Sequence, residues 1–248
     1  MSVKDITVAA TGVAQGFAAG ARRRIAPVVL GADALVENVR VRLTALGEPA
    51  RAVIAQVVAE VDGRRVRVQR SAAGVGGAVE RAADALRARI AEVSGPWRPR
   101  PWPEGPRGLG ILRAARLGSG TISRVKAPAL VWCSPEAAAR TMDAMDYDIH
   151  LFVDPATETE AAVYRVGPTG YRLARTVSAG PPTPNRGIPW TLNPGCAPRL
   201  TDDAALDRVT RAELPHLFYA DPDTGSGRVL YRRLDGDYAV IAAARGTA

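Results

Sequence analysis

The chain has 248 residues, of which 47% are hydrophobic and only 5% aromatic, so it is long enough for two or three small domains with cores of alanine, valine and leucine. Its 33 Lys and Arg residues exceed its 25 Asp and Glu residues, and the net charge of +8 favours a polyanionic partner. Two widely separated cysteines argue against a disulfide framework, and the lack of a long apolar run argues against a membrane span, so we expect a cytoplasmic protein.

The positive charge is concentrated in the first half of the chain. Residues 1–124 carry 20 basic and 10 acidic side chains, whereas residues 125–248 carry 13 basic and 15 acidic ones. A domain that concentrates like charge repels itself unless an anionic partner relieves the repulsion, and nucleic acid is the commonest such partner. We therefore expect nucleic-acid contacts in the N-terminal part.

Residues 1–94 alternate between the periodicities of strands and helices. The predicted strands are residues 6–11, 38–44, 52–61 and 64–70, with an Asp62-Gly63 hairpin turn between the last two. The predicted helices carry apolar stripes from Val13 to Val28 and from Val79 to Val93. The order β-α-β-β-β-α predicts an α+β domain in which two helices cover one face of a four-stranded sheet.

Arginines recur along these elements and are the candidate RNA-binding residues. They are Arg22, Arg23, Arg24, Arg40, Arg42, Arg65, Arg67, Arg81, Arg87 and Arg89. Guanidinium groups on strand faces have no obvious stabilising role, and they bind phosphate in bidentate geometry. The three arginines at the end of the first helix have an alternative role as a solvated cap that favours the helix dipole. Phe17 is the only aromatic residue in 1–94, which favours recognition of folded RNA shape over base stacking.

Two proline-rich stretches divide the chain. Repeated proline forbids helix and removes backbone donors, so residues 95–120 and 178–197 are predicted to be semi-rigid linkers. They separate three predicted domains, at residues 1–94, 121–177 and 198–248.

The last two domains contain an internal repeat. His150-Leu-Phe resembles His216-Leu-Phe, and each is followed by Asp-Pro, a Tyr-Arg pair and a second Tyr. A Ser or Thr helix cap precedes each copy, so each is predicted to be a short helix followed by three strands. Units this small cannot cover their own sheet face, so we expect the two copies to cover each other. The predicted interface residues are Phe152, Tyr164, Phe218 and Tyr231.

These patterns resemble the long-form bacterial ribosome hibernation-promoting factors, also called sigma-54 modulation or S30AE proteins. In residues 1–94 the resemblance lies in the order of elements and in the basic residues. In the second copy it lies in Val229-Leu-Tyr-Arg-Arg233 and Asp235–Ile241. The first copy matches less well, at Ala162–Arg165 and Gly170–Leu173. Gly74–Gly77 departs from the family pattern, which has a tyrosine and an acidic residue at the start of that helix.

The resemblance implies the variant with two tandem C-terminal domains. It implies binding of the ribosome through 16S rRNA near the decoding region of the small subunit, and silencing of translation under stress or dormancy. The two copies would pair within the chain, at an effective concentration on the order of mM, which favours binding to single 70S particles. A homodimer formed through these domains is the alternative.

Two other classes of function remain open from the residues alone. One is a nucleic-acid-binding regulator that does not act on ribosomes. The other is an enzyme with a cleft between the repeats and His150 or His216 as base, although no set of nucleophile, base and orienting group is visible. No metal-ligand spacing involves the histidines, and Asp221–Gly225 is predicted to be a turn, so we expect a non-enzyme without metal or cofactor.

Overall fold

The structure is a computed structural model that describes residues 5–47, 52–99, 120–166, 170–182, 188, 190–193, 195–233 and 236–244. Most of the predicted linker 95–120 lies outside the described residues. The described residues up to Arg98, together with Ala144–Asp146, form one compact unit, called here the N-terminal unit. Residues 120–143 and the described residues from Tyr147 onward belong to a second unit, called here the C-terminal unit.

The N-terminal unit has the predicted order of elements. These are β1 (Thr7–Thr11), α1 (Phe17–Leu30), β2 (Val36–Ala45), β3 (Val53–Val61), β4 (Arg64–Ala72) and α2 (Val75–Ser94). The sheet order is β1-β2-β3-β4, with β1 parallel to β2 and the other pairs antiparallel. The prediction of a β-α-β-β-β-α domain is therefore confirmed.

The alternation of β2 separates the two faces of this sheet. Val39, Val41 and Leu43 are buried in one core with Ile25 of α1 and Leu86 of α2, whereas the arginines between them are exposed. Because neighbouring strand residues point to opposite faces, both helices cover one face and leave the arginine-bearing face open.

Two backbone features shape the ends of these elements. Asp62 and Gly63 have φ angles of 48° and 73°, the left-handed pair that a tight hairpin between β3 and β4 requires. Helix α2 starts from Gly74 without a side-chain cap, and a Cβ on Gly77 would lie 3.3 Å from the Cβ of Ala72. Glycine at position 77 therefore lets the start of α2 lie close to the end of β4.

The C-terminal unit contains two four-stranded sheets and two helices among its described residues. Its elements are β5 (Ile122–Lys126), α3 (Pro135–Ala144), β6 (Ile149–Asp154), β7 (Thr159–Val166), β8 (Gly170–Arg175), β9 (Trp190–Leu192), α4 (Asp202–Arg211), β10 (His216–Ala220), β11 (Gly227–Arg232) and β12 (Tyr238–Ala242). The first sheet has the order β6-β7-β8-β9 and the second the order β10-β11-β12-β5. Each sheet thus has three antiparallel strands that follow a helix, and a fourth strand that is parallel to its neighbour.

The fourth strands are exchanged between the two sheets, which the sequence did not predict. Strand β5 precedes α3 in the chain but pairs with β12 in the second sheet. Strand β9 lies within the stretch predicted to be the linker 178–197, and it pairs with β8 in the first sheet. Each sheet is therefore completed by a segment that adjoins the other set of strands in sequence.

The segments 135–175 and 202–242, called here the first and second segments, correspond at a constant separation of 67 residues. Tyr164 corresponds to Tyr231 and Asp154 to Asp221, and Ile149 and His216 pair with the two tyrosines in the same register. The predicted equivalence of His150 with His216 is therefore wrong by one residue. Because strand side chains alternate, this shift places the two histidines on opposite faces of their sheets.

The two sheets of the C-terminal unit pack against each other through one face of each. Ile149, Leu151 and Ala162 of the first segment share a buried cluster with Phe218 and Val229 of the second. The opposite face of the second sheet packs on α4, where Val209 and Ala205 contact Tyr219 and Leu230. Each sheet therefore buries both faces, which a single segment of this size could not do.

Candidate nucleic-acid interface

The open face of the N-terminal sheet carries arginines in rows across the strands. In one row Arg40 lies between Thr7 of β1 and Val58 of β3, and Val58 pairs in turn with Arg67 of β4. The next row consists of Ala9, Arg42, Gln56 and Gln69. Arg65 pairs with Glu60 at one end of the face. Four of the predicted residues, Arg40, Arg42, Arg65 and Arg67, are thus brought together; we call this set the open-face arginines.

The open-face arginines differ in accessibility. Arg40, Arg42 and Arg65 are exposed, whereas Arg67 is half-buried and donates a hydrogen bond from Nη1 to the carbonyl oxygen of Met145 at 3.2 Å. At the end of this face Glu60 accepts a hydrogen bond of 2.7 Å from the side chain of Asn38. The exposed guanidinium groups of Arg40 and Arg42 lie two residues apart on β2, so they point the same way from a rigid strand.

The predicted arginines on the helices lie on the other layer of the unit. Arg22 donates from Nε to the carbonyl oxygen of Ile6 at 3.0 Å, and Arg81 donates to that of Ser71 at 3.1 Å. Arg23 is exposed, and Arg24 pairs with exposed Glu80. The ten arginines therefore do not share one surface, because the sheet separates the open-face arginines from those on α1 and α2.

The arginines in exposed ion pairs on the helices can still bind phosphate. Arg87 contacts Asp84 at 2.9 Å, and both side chains are more than half exposed, as they are in the Arg24–Glu80 pair. Pairs of this kind contribute little stability because water screens them, so a phosphate group can replace the carboxylate at small cost.

Arg89 requires a correction. Its side chain is only 3% exposed, and it contacts Asp146 at 3.3 Å and Glu92 at 3.3 Å. Arg70, which the sequence did not single out, contacts the same Asp146 carboxylate at 2.6 Å. Arg89 therefore stabilises packing within the N-terminal unit and is not accessible to a phosphate group in this structure. The helical periodicity did not reveal this burial, because Arg89 lies beside the apolar stripe of α2 and is buried with it.

The predicted interface residues of the C-terminal unit fall into two groups. Tyr164, Phe218 and Tyr231 lie in or against the cluster between the two sheets. Phe152 is fully buried, but it lies on the opposite face of its strand from Leu151, which is the residue that enters the cluster. The one-residue shift explains this difference, because Leu151 and not Phe152 corresponds to Phe218.

The hydroxyl groups of the two interface tyrosines each have a partner on the neighbouring fourth strand or just beyond it. Tyr231 Oη lies 2.6 Å from Lys126 Nζ, and Tyr164 Oη donates to Asn193 Oδ1 at 3.4 Å. Lys126 corresponds to Asn193 at the same separation of 67 residues. The exchanged strands and the residue just after β9 therefore supply polar partners for both half-buried phenols.

The two histidines are structural in this arrangement. The ring of His216 meets Tyr164 edge-on at 5.2 Å between the sheets, and burial lowers its pKa to about 4. His150 stacks with Tyr147 and Phe152 on the other face of β6, and burial likewise lowers its pKa to about 4. They do not form one site, and the described residues contain no cluster of three or more potential metal ligands.

A buried ion pair and a half-buried one stabilise the strand-connecting turns. Asp154 accepts a hydrogen bond from Arg175 at 2.7 Å, and Asp221 contacts Arg228 at 2.6 Å. Asp221 Oδ1 also accepts hydrogen bonds from the backbone of the turn that follows it, and these bonds lower its pKa. The prediction that Asp221–Gly225 connects two strands is confirmed, since β10 ends before it and β11 begins after it.

Among the described residues no helix is both long and apolar enough to cross a membrane. Residues 118–173 match the family model described as the sigma 54 modulation/S30EA ribosomal protein C terminus. This match covers β5 and all but the last two residues of the first segment, although the second copy carried the clearer pattern in the sequence.

Over 244 residues, the chain is 35% identical to a protein named dormancy associated translation inhibitor, found in two strains of Mycobacterium tuberculosis. The alignment covers 96% of this chain and 88% of the relative. Among solved structures, the N-terminal domain of Thermus thermophilus Protein Y matches with 18% identity and a TM-score of 0.31, over 36% of this chain and 98% of that one. The identity to the mycobacterial relative extends through both units, and with the family-model match it shows that the chain belongs to the long-form ribosome hibernation-promoting factors of the sigma-54 modulation/S30AE family.

Proposed function

We propose that this protein is a ribosome hibernation factor, which binds rRNA through its N-terminal unit and silences translation during stress or dormancy. The observation that carries the proposal is the row arrangement of Arg40, Arg42, Arg65 and Arg67 on a sheet face that the helices leave open. The relative named as a dormancy associated translation inhibitor supports it, since the likeness spans both units.

The open face suits folded RNA better than single strands. Besides apolar residues such as Val58, the acidic Glu60 and small residues, its side chains are arginine, glutamine and threonine, and these can bond to phosphate and ribose oxygens. Stacking platforms for unpaired bases need aromatic rings, and Phe17 is the only one in residues 1–94. Rigid strands hold the guanidinium groups at fixed spacing, which favours recognition of a preformed backbone shape. The decoding region of 16S rRNA in the small subunit is the proposed site.

We further infer that the C-terminal unit consists of two tandem copies of the family's C-terminal domain, paired within one chain. The constant separation of 67 residues and the shared face of the two sheets support this inference. Among the described residues, the pairing faces of the two sheets are already buried against each other, so neither of these faces is left for a second molecule. The protein should therefore act as a monomer on single 70S particles and should not join ribosomes into 100S pairs.

The test is co-sedimentation with purified 70S ribosomes through a sucrose cushion at several salt concentrations. Replacing Arg40 and Arg42 by alanine should weaken binding and reduce the dependence of log affinity on log salt by about 1 for each phosphate group that is no longer neutralised. The matched control replaces Arg208 and Arg211, which are exposed arginines of α4 and are not among the predicted RNA-binding residues.

Three outcomes would count against the proposal. If the Arg40/Arg42 variant binds as tightly as the wild type, the open face is not the RNA surface. Equal binding to ribosomes and to unrelated duplex RNA would favour a regulator that acts elsewhere. Factor-dependent 100S particles would refute the monomeric mode of action and leave the RNA surface untouched.

A further inference from the structure

The two segments of the C-terminal unit contact each other at corresponding positions. Glu160 lies on β7 and Gly227 at the start of β11, and 67 positions separate them in the sequence. The amide of Gly227 donates a hydrogen bond to Glu160 Oε2 at 3.3 Å. When two related segments pack by a two-fold rotation, corresponding residues meet each other at the rotation axis. The Glu160–Gly227 contact therefore marks the pseudo-two-fold axis of the unit.

The backbones at this axis lie too close for a side chain on both segments. A Cβ placed on Gly227 would lie 2.6 Å from the Cβ of Glu160 and 2.9 Å from Cε2 of Phe218. Non-bonded carbon atoms pack at roughly 3.5–4.0 Å, so such a Cβ would force the two sheets apart. The described glycines with a positive φ do not include Gly227, so glycine serves here to make space and not to permit an unusual backbone.

The axis therefore distinguishes between possible partners. If the first segment paired in the same way with the first segment of another molecule, Glu160 would face Glu160. Two side chains would then occupy the space that holds one, and two carboxylates would approach each other in a partly buried site. If the second segment paired with another second segment, Gly227 would face Gly227, and neither amide would find a glutamate to accept its hydrogen bond.

A second position near the interface differs between the segments in the same sense. His216 of the second segment packs edge-on against Tyr164 of the first, with ring centroids 5.2 Å apart. Its counterpart in the first segment is Ile149, which has no aromatic ring. A pair of first segments would lack this contact, so the aromatic pair also disfavours that combination.

We propose that Glu160 and Gly227 are a matched pair that commits a first segment to a second segment and blocks its pairing with the first segment of another chain. The proposal rests on the intramolecular pairing inferred above and adds the residues that specify it. The partner of each segment is thus set by shape and charge at the axis, in addition to the tether between them.

The experiment is a double-mutant cycle on the full chain, read by thermal unfolding. The substitution Gly227→Ala overpacks the contact at the axis and should lower the free energy of unfolding. For a protein of this size, that loss corresponds to a decrease of about 3–10 °C in the melting temperature. The matched control is Gly195→Ala, because a Cβ at that exposed position meets no atom within 4 Å. The control should shift the melting temperature by less than about 1 °C.

The cycle then repeats Gly227→Ala in a Glu160→Gly background. With the glutamate side chain gone, the same alanine should cost less than half of its former shift, because the closest contact has been removed. Equal shifts in the two backgrounds would overturn the proposal. The remaining contact with Phe218 is controlled by repeating the pair of measurements with Phe218→Leu, which installs the residue found at the corresponding Leu151.

A second set of variants, in which a glutamate is added or moved, tests which segments can pair. Gly227→Glu places a glutamate on both segments, so it should lower the melting temperature more than alanine does, and moving the glutamate across with Glu160→Gly should recover part of the difference. Failure to recover would contradict the matched pair. Ribosome co-sedimentation of the wild type is scored separately, so that absence of ribosome binding refutes the proposed function alone, and absence of coupling refutes this inference alone.

Discussion

Acidification should destabilise the protein through its two half-buried histidines. His150 and His216 have pKa values lowered to about 4 from an ordinary value of 6.5, because burial disfavours the charged imidazolium. Between about pH 4 and pH 6.5 the unfolded chain therefore binds more protons than the folded one, and the free energy of unfolding rises with pH across that window. The contribution is fully present above pH 6.5 and is lost as the pH falls towards 4.

The size of the effect follows from the width of the window. Between pH 7 and pH 5 each histidine should account for a loss of up to about 2 kcal/mol, so the pair contributes up to about 4 kcal/mol. Denaturant unfolding at the two pH values measures this change directly. The matched variant is His150→Leu with His216→Ile, because the structure places Leu217 and Ile149 at the corresponding positions.

The variant isolates the histidines from the carboxylates, which also titrate in acid. Its free energy of unfolding should change between pH 7 and pH 5 by about 4 kcal/mol less than that of the wild type. A variant with the same pH dependence as the wild type would refute the assignment of the acid sensitivity to these two side chains.

Three further predictions concern single side chains. Asp143 forms a buried ion pair with Arg165 and accepts a 2.5 Å hydrogen bond from Tyr171. Asp143→Ala leaves Arg165 charged and buried without this partner, so it should lower the free energy of unfolding by about 3–5 kcal/mol in a denaturant titration. A decrease below about 1 kcal/mol would show that the Asp143–Arg165 pair is dispensable. Leu86→Ala should cost about 2–5 kcal/mol, since Leu86 is fully buried between α2 and the N-terminal sheet, and an unchanged denaturation midpoint would contradict that packing. Gly63→Ala should cost about 1 kcal/mol through its φ of 73°, and calorimetry of this variant should show a lowered melting temperature with unchanged 70S binding.

The N-terminal unit could be predicted from sequence because its signals are local. The alternation of Val39, Arg40, Val41 and Arg42 specifies which face of β2 is buried, and Asp62-Gly63 specifies the hairpin that follows β3. Each of these signals depends on residues within a few positions of each other. Such periodicities fix the faces of the elements before any long-range contact forms.

The candidate RNA surface could be predicted only in part. The alternation indicates that Arg40 and Arg42 leave the core, but it does not say that Arg81 and Arg22 lie on the opposite layer from them. Nor does it show that Arg89 is buried beside Asp146, since residues far apart in sequence form that contact. Which arginines share a surface depends on tertiary packing, which no local window contains.

The error in the repeat alignment has a specific cause. The tripeptides His-Leu-Phe that begin at 150 and 216 have the same sequence, but they are 66 positions apart. The tyrosines and the Asp-Pro turns are 67 positions apart. Backbone pairing follows the second spacing, because strand register is set by which side chains reach the core. The Asp154 and Asp221 turns were therefore the better anchor, and they were available in the sequence.

The exchange of strands connects the two proposed tandem domains of the C-terminal unit to each other. The edge of β8 is covered by β9, which precedes α4 in the chain, and the edge of β12 is covered by β5, which precedes α3. Removing either segment together with the fourth strand that precedes it in the chain would expose an unpaired strand edge on the other sheet as well as the apolar face between them. The two segments therefore depend on each other through backbone hydrogen bonds and through side-chain packing, and neither contribution can be removed alone. We accordingly infer that the C-terminal unit folds as one cooperative body, with a hydrophobic core that becomes complete only when both segments and both exchanged strands are in place.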